Sequence, residues 1–211
     1  MNRIIPLSQR RGDIVILIFF VINILFITYI VDLEQLVIAN PEHFTYPVWP
    51  PAVMVDVIHS YGRTFDPVLM ARPAWWKMTI WIDVLFFGPF YVVAIYAFIK
   101  GKEWIRIPSI IYASILLTNV LIILSEEFYG QYATPQPLVV LGLNLPWLLM
   151  PLYIIYRMSR HLHPFSREVQ GSMSTLAVTA ESKDRSFGST GDPVSPESGS
   201  SETPGFSQQE S

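Results

Sequence analysis

Four long apolar runs, separated by polar or proline-rich connections, set the pattern of this chain. The first, Ile14–Val31, is eighteen residues without a charge, or about 27 Å of helix at 1.5 Å per residue. The second, Met78–Ile99, is twenty-two residues with one charge, Asp83. The third is Ile107–Leu124 and the fourth Leu138–Tyr156. Runs of this length and purity fit helices that cross a hydrocarbon core of about 30 Å. The pattern therefore predicts an all-α membrane protein, a four-transmembrane-helix bundle over residues 12–160. A cleaved signal peptide is the alternative for the first run. That run is longer than an ordinary signal core, and no small-residue cleavage site follows it.

Local signals add boundaries. Asp13, after Gly12, stands where an N-cap belongs. Asn23 is the only amide in the first run, and such residues usually bond to a neighbouring helix. Residues 32–76 form a long connection with Pro41, Pro47, Pro50 and Pro51. Within it Ala52–Thr64 reads as a short helix, with Val53, Val57 and Tyr61 on an apolar side. Phe65-Asp66-Pro67 is a turn signal. Pro89 inside the second run predicts a kink, because it removes one hydrogen bond and crowds the carbonyl of Leu85. Gly101 stands at a helix C-terminal cap. The connection Lys100–Arg106 is short, so spans two and three should be antiparallel neighbours. Pro146 and Pro151 interrupt the fourth run.

Composition sharpens this picture at the C-terminus. Charged residues are 15% of the chain, against about 25% in soluble domains. From Pro164 the sequence turns to Ser, Gly, Pro, Thr and Glu, and residues 164–211 are expected to be a disordered cytosolic tail. Residues 165–211 hold seven acids and three bases, and residues 1–164 eleven bases and ten acids. No basic nucleic-acid face results. With no cysteine there is no disulfide, thiolate metal site or cysteine nucleophile. No cofactor is implied.

Charge placement gives an orientation. Arg3, Arg10, Arg11, Lys100, Lys102, Arg106, Arg157 and Arg160 flank the spans on the side of the termini. The other side carries Arg63, Arg72 and Lys77 in a long loop and no base between spans three and four. This bias places both termini in the cytosol. On the opposite side Asp32, Asp66, Asp83, Glu126 and Glu127 then converge, with Asn144 at similar depth. A carboxylate within a span is costly and by default marks a functional site. Glu34, Glu126 and Glu127 read more simply as helix-end or headgroup-facing acids. His59 reads as a lone surface residue, and no histidine has metal-ligand spacing to the acids. The cluster suits a cationic or hydroxyl-bearing lipophile in an aromatic-walled cavity. Phe86, Phe87, Phe90, Tyr112 and Trp147 are candidate walls.

The residues Trp76-Lys77, Asp83, Leu85-Phe86, Pro89-Phe90, Tyr96-Ala97-Phe98, Lys100-Gly101, Trp104-Ile105-Arg106, Pro108 and Ile110-Ile111-Tyr112 resemble the sigma-2 receptor branch of the EXPERA domain family. Asp32-Leu33, Phe65-Asp66-Pro67 and the Pro146 to Pro151 segment add to the likeness, which covers roughly residues 12–160. The resemblance implies a four-helix protein of the endoplasmic reticulum membrane, commonly a homodimer, that binds sterols or cationic amphiphilic lipids. It implies that Asp32 and Asp66 serve the ligand or hold its pocket. The acid matching Asp83 is usually a glutamate in that branch. The expected ligand-binding set is thus Asp32, Asp66, Asp83, Asn144, Trp147 and Tyr112. The family also contains sterol double-bond isomerases, which use a histidine and glutamates on the spans. No predicted span here carries a histidine, so the expectation is non-enzymatic binding in sterol handling, with no catalytic residue. Fungal members linked to delivery of mitochondrial precursor proteins leave a third role open.

Overall fold

A computed structural model describes residues 2–168. Four helices are long and apolar enough to cross a membrane: α1 (Arg11–Val37), α4 (Ala74–Lys100), α5 (Glu103–Tyr129) and α6 (Pro137–Ser159). Between the first two lie α2 (Ala52–Thr64) and the single-turn α3 (Pro67–Ala71). Strand β1 (Asn2–Ile4) pairs antiparallel with β2 (Ser166–Glu168), with Arg3 opposite Arg167. Apart from this short ribbon the regular structure of the described residues is helical, and the protein is a multi-pass membrane protein with four candidate spans among them.

Each span extends beyond the apolar run that announced it. α1 begins at Arg11 and continues to Val37. Asp13 is therefore not the N-cap but lies in the first turn, fully buried. Arg10 donates to it at 2.7 Å and Arg157 at 3.0 Å. Burial between two guanidinium groups, rather than capping, decides its place. Asn23 does bridge helices: the Trp147 indole N–H donates to its Oδ1 at 2.8 Å.

Packing runs in pairs. α5 lies along α6, and α1 lies against α4. The short connection does not make α4 and α5 the most closely packed pair. They meet through aromatic side chains, with Tyr112 stacked on Phe90 at 4.5 Å and the Tyr112 hydroxyl 3.1 Å from that of Tyr91. Phe20 of α1 packs edge-on against Tyr112 and Phe98. These contacts form the main core. At the chain-terminal end Gly101 adopts φ 62, a left-handed C-terminal cap that glycine takes without steric cost.

Two stretches of wide π-type turns interrupt the spanning helices, Asn23–Asp32 in α1 and Asp83–Phe87 in α4. The second lies immediately before Gly88-Pro89, and Pro89 occupies the first turn of the α-helical segment that resumes there. The missing proline donor is thus absorbed by a change of helical winding.

The membrane-adjacent loop is more tightly built than its sequence suggests. α2 matches its expected bounds, but its packed side is Val55, Ile58, His59 and Gly62. Val53 and Val57 are exposed. Asp66 caps α3, accepting from the Leu69 N–H at 3.2 Å, and Pro67 takes the first helical position. Residues 164–168, assigned by composition to the tail, lie against the bundle: Phe165 is fully buried, 5.2 Å from the Phe98 ring. The remainder of that tail, from residue 169, lies outside the described residues.

Candidate functional site

The two π segments face each other, and the side chains they carry build one site. Asp32 closes the first segment and Asp83 opens the second. The two carboxyl groups neighbour each other and line one cavity. The Thr28 hydroxyl donates to Asp83 Oδ1 at 2.5 Å. A wide turn shifts every later side chain around the helix axis, so such turns re-aim residues and recur at functional sites. Here they turn two acids toward one space between α1 and α4.

That space is a cavity of about 360 Å³, within the range of roughly 300–1,000 Å³ typical of small-molecule sites. Its walls are mainly apolar, with Ile80 and Phe87 from α4 and Leu116, Val120 and Ile123 from α5. Phe26, Val57 and Leu143 also line it and are exposed, which marks a mouth on the outer face of the bundle.

Five of the six residues expected at the site line this cavity: Asp32, Asp66, Asp83, Asn144 and Trp147. The sixth, Tyr112, does not. It is held behind Phe87, 4.9 Å away, by its contacts with Phe90 and Tyr91. Among the other proposed walls, Phe87 lines the cavity, Phe86 points outward, and Phe90 belongs to the aromatic core. Asn144 turns its amide N–H to the Val140 carbonyl at 3.0 Å, and its carbonyl oxygen retains acceptor capacity. No group of three or more His, Cys, Asp or Glu among the described residues is arranged to hold a metal ion.

A second acid pair sits at the loop end. Asp66 contacts Glu127, which is buried with no hydrogen-bond donor on either oxygen among the described residues. The simple helix-end reading therefore fails for Glu127. It fits Glu126, which accepts from the Tyr132 N–H at 2.9 Å. Burial pushes the Asp66 carboxyl up from 3.8 to about 6, against the lowering pull of the Leu69 N–H and of the Glu127 contact. The folded state holds this proton more tightly than the unfolded chain. Its stabilisation is complete below the ordinary value and is lost as pH rises through about 6. Asp66→Asn keeps an equally good cap. Thermal unfolding from pH ~4 to ~7 should therefore show a flatter stability profile in the variant. An unchanged slope would place the titration elsewhere.

Three residues whose sequence context suggests surface roles form a buried clasp beside the cavity. Arg72 Nη2 donates to both oxygens of Glu34, at 2.8 and 2.9 Å, and His59 Nε2 lies 2.7 Å from the same carboxylate. Arg72 also donates to the carbonyls of Leu69 and Ile38. Its own backbone is left-handed, φ 48. The clasp ties the end of α1 to α2 and to the turn before α4. Gln35, next to Glu34, lines the cavity and accepts from the Trp76 indole. The sequence signal available was the period linking Val55, Ile58, His59 and Gly62, which puts His59 on the packed face of α2.

The class defined by these features is a multi-pass helical membrane protein with an apolar cavity that carries paired carboxylates. The family model described as EBP, EXPERA (EXPanded EBP superfamily), matches residues 53–158, half of the chain, and the chain belongs to that superfamily. The match includes Asp66, Asp83 and Asn144 and leaves Asp32 outside. The chain is similar to sigma intracellular receptor 2 of Macaca fascicularis, 29% identical over 170 residues, covering 74% of this chain and 92% of that protein. The Xenopus tropicalis protein of the same name is 29% identical over 143 residues, 63% and 79% of the two chains. The Homo sapiens protein is 30% identical over 124 residues, 52% and 70%.

Proposed function

We propose that this protein is a non-enzymatic binder of sterols or cationic amphiphilic lipids, acting in sterol handling in the endoplasmic reticulum membrane. The observation that carries the reading is the Asp32–Asp83 pair, presented to an apolar cavity by two facing π segments. Two carboxyls facing one apolar space are well placed to take a cation or a hydroxyl donor between them. An amine would pair with the two carboxyls. A sterol hydroxyl would donate to one carboxylate oxygen while its rings cover the apolar walls. Trp76 and Trp147 line the same space, and indole rings suit a cation. The exposed apolar mouth suits a ligand arriving from the bilayer.

The flanking basic residues favour cytosolic termini, which puts the acid cavity toward the opposite face. The relatives' name, sigma intracellular receptor 2, supports a binding role over turnover. So does the lining itself, which contains no histidine. Incubation of the purified protein with radiolabelled sterol tests this directly. Bound counts should saturate, and the recovered sterol should be chemically unchanged. Recovery of a double-bond-shifted sterol would establish an isomerase instead.

A further inference from the structure

At the opposite end of the bundle lies a second cavity, of about 510 Å³ and unlike the first in chemistry. It opens between the start of α1 and the end of α6, beside the β1–β2 ribbon. Arg10, Arg11, Arg157, Arg160 and Arg167 line it, against a single acid, Asp13. Asp13 is already taken up by Arg10 and Arg157. These two guanidiniums are further fixed by the carbonyls of Phe98 and Pro164, at 2.9 Å each. The other three arginines, Arg11, Arg160 and Arg167, are exposed and have no acidic partner among the described residues. Five cations around one occupied carboxylate leave a strong excess of positive charge in a concave site.

We propose that this cleft holds the phosphate headgroup of an anionic membrane lipid. Guanidinium groups suit phosphate oxygens because their forked N–H donors match them two at a time. The fixed pair Arg10 and Arg157 gives the site its floor, and the exposed Arg11, Arg160 and Arg167 supply further donors, although Arg160 gives one to the Tyr156 hydroxyl at 2.6 Å. A lipid is the occupant, rather than a free phosphate, because of where the cleft sits. It lies at the ends of two spanning helices, at headgroup depth. Tyr156 on its rim and Val15 and Leu152 nearby on the same helices are exposed and apolar enough to lie along an acyl chain. Basic pockets between spanning helices are a recurrent form of acidic-lipid recognition. The inference rests on the four spans and not on the ligand proposed for the acid cavity.

Native mass spectrometry of the full chain, offered equal amounts of phosphatidic acid and phosphatidylcholine, tests it. The wild type should retain phosphatidic acid in preference. Arg160→Gln/Arg167→Gln should lower that preference at least about tenfold. Both side chains are exposed, so the thermal midpoint should not move. Lys100→Gln/Lys102→Gln, at the same end but outside the cleft, should keep the preference. Equal retention of both lipids by the wild type would overturn the proposal, as would a preference unchanged in the arginine variant. Displacement of phosphatidic acid by equimolar inorganic phosphate would show a free-anion site and overturn the lipid assignment. Salt dependence with no lipid preference would point to the chain's own acidic segment as occupant and would likewise overturn it.

Discussion

Arg72→Met is expected to be the most damaging single substitution outside the core. It leaves Glu34 fully buried with one partner, His59, in place of a bidentate guanidinium. Breaking a buried ion pair by removing one side typically costs about 3–5 kcal/mol. The Ile38 and Leu69 carbonyls lose their donor as well. Thermal unfolding in detergent should show a large drop in midpoint, with poor yield of folded protein. Glu34→Leu/Arg72→Met removes the stranded charge and should recover most of the loss. A single variant as stable as wild type would mean that the clasp is solvated and contributes little.

The second large effect is on binding. Asp32→Asn/Asp83→Asn preserves shape and removes both ionisable groups from the cavity. A hydrogen bond to a charged partner contributes about 1.5–3 kcal/mol, so affinity for a cationic amphiphile should fall by roughly ten- to a hundredfold. A neutral sterol should lose less, since an amide oxygen still accepts from its hydroxyl. Saturation binding of one radiolabelled amine and one radiolabelled sterol separates the two. Equal amine affinity in wild type and variant would remove the acids from the site.

The spans, the loop helix Ala52–Thr64 and the convergence of Asp32, Asp66 and Asp83 were legible because each rests on a local signal. Apolar run length, Pro51 and the charge bias carry them. What escaped the sequence depended on long-range packing. Asp13 looked like a cap, but Arg157, 144 positions away, gives it a buried partner. Glu34, His59 and Arg72 are separated by 25 and 13 residues along the chain and read singly as surface residues. Tyr112 lay on a plausible wall until the stack with Phe90 drew it into the aromatic core. The π segments have no simple sequence mark. Pro89 announced a disturbance in α4 as a kink, and the structure shows it as a change of winding that also aims Asp83.

The central proposal is that the cavity between α1, α4 and α5 holds a lipophile. Lipid mass spectrometry of the purified protein tests this most directly when wild type is compared with Val120→Trp. Val120 lines the cavity, and an indole there would occupy the space a ligand needs. A cooperative thermal transition in the variant confirms that it folds. The wild type should carry a sterol or cationic amphiphile near one per chain, and the variant only the bulk phospholipid carried through purification. The same sterol and amine content in both, or none in either, would contradict a lipophile site there.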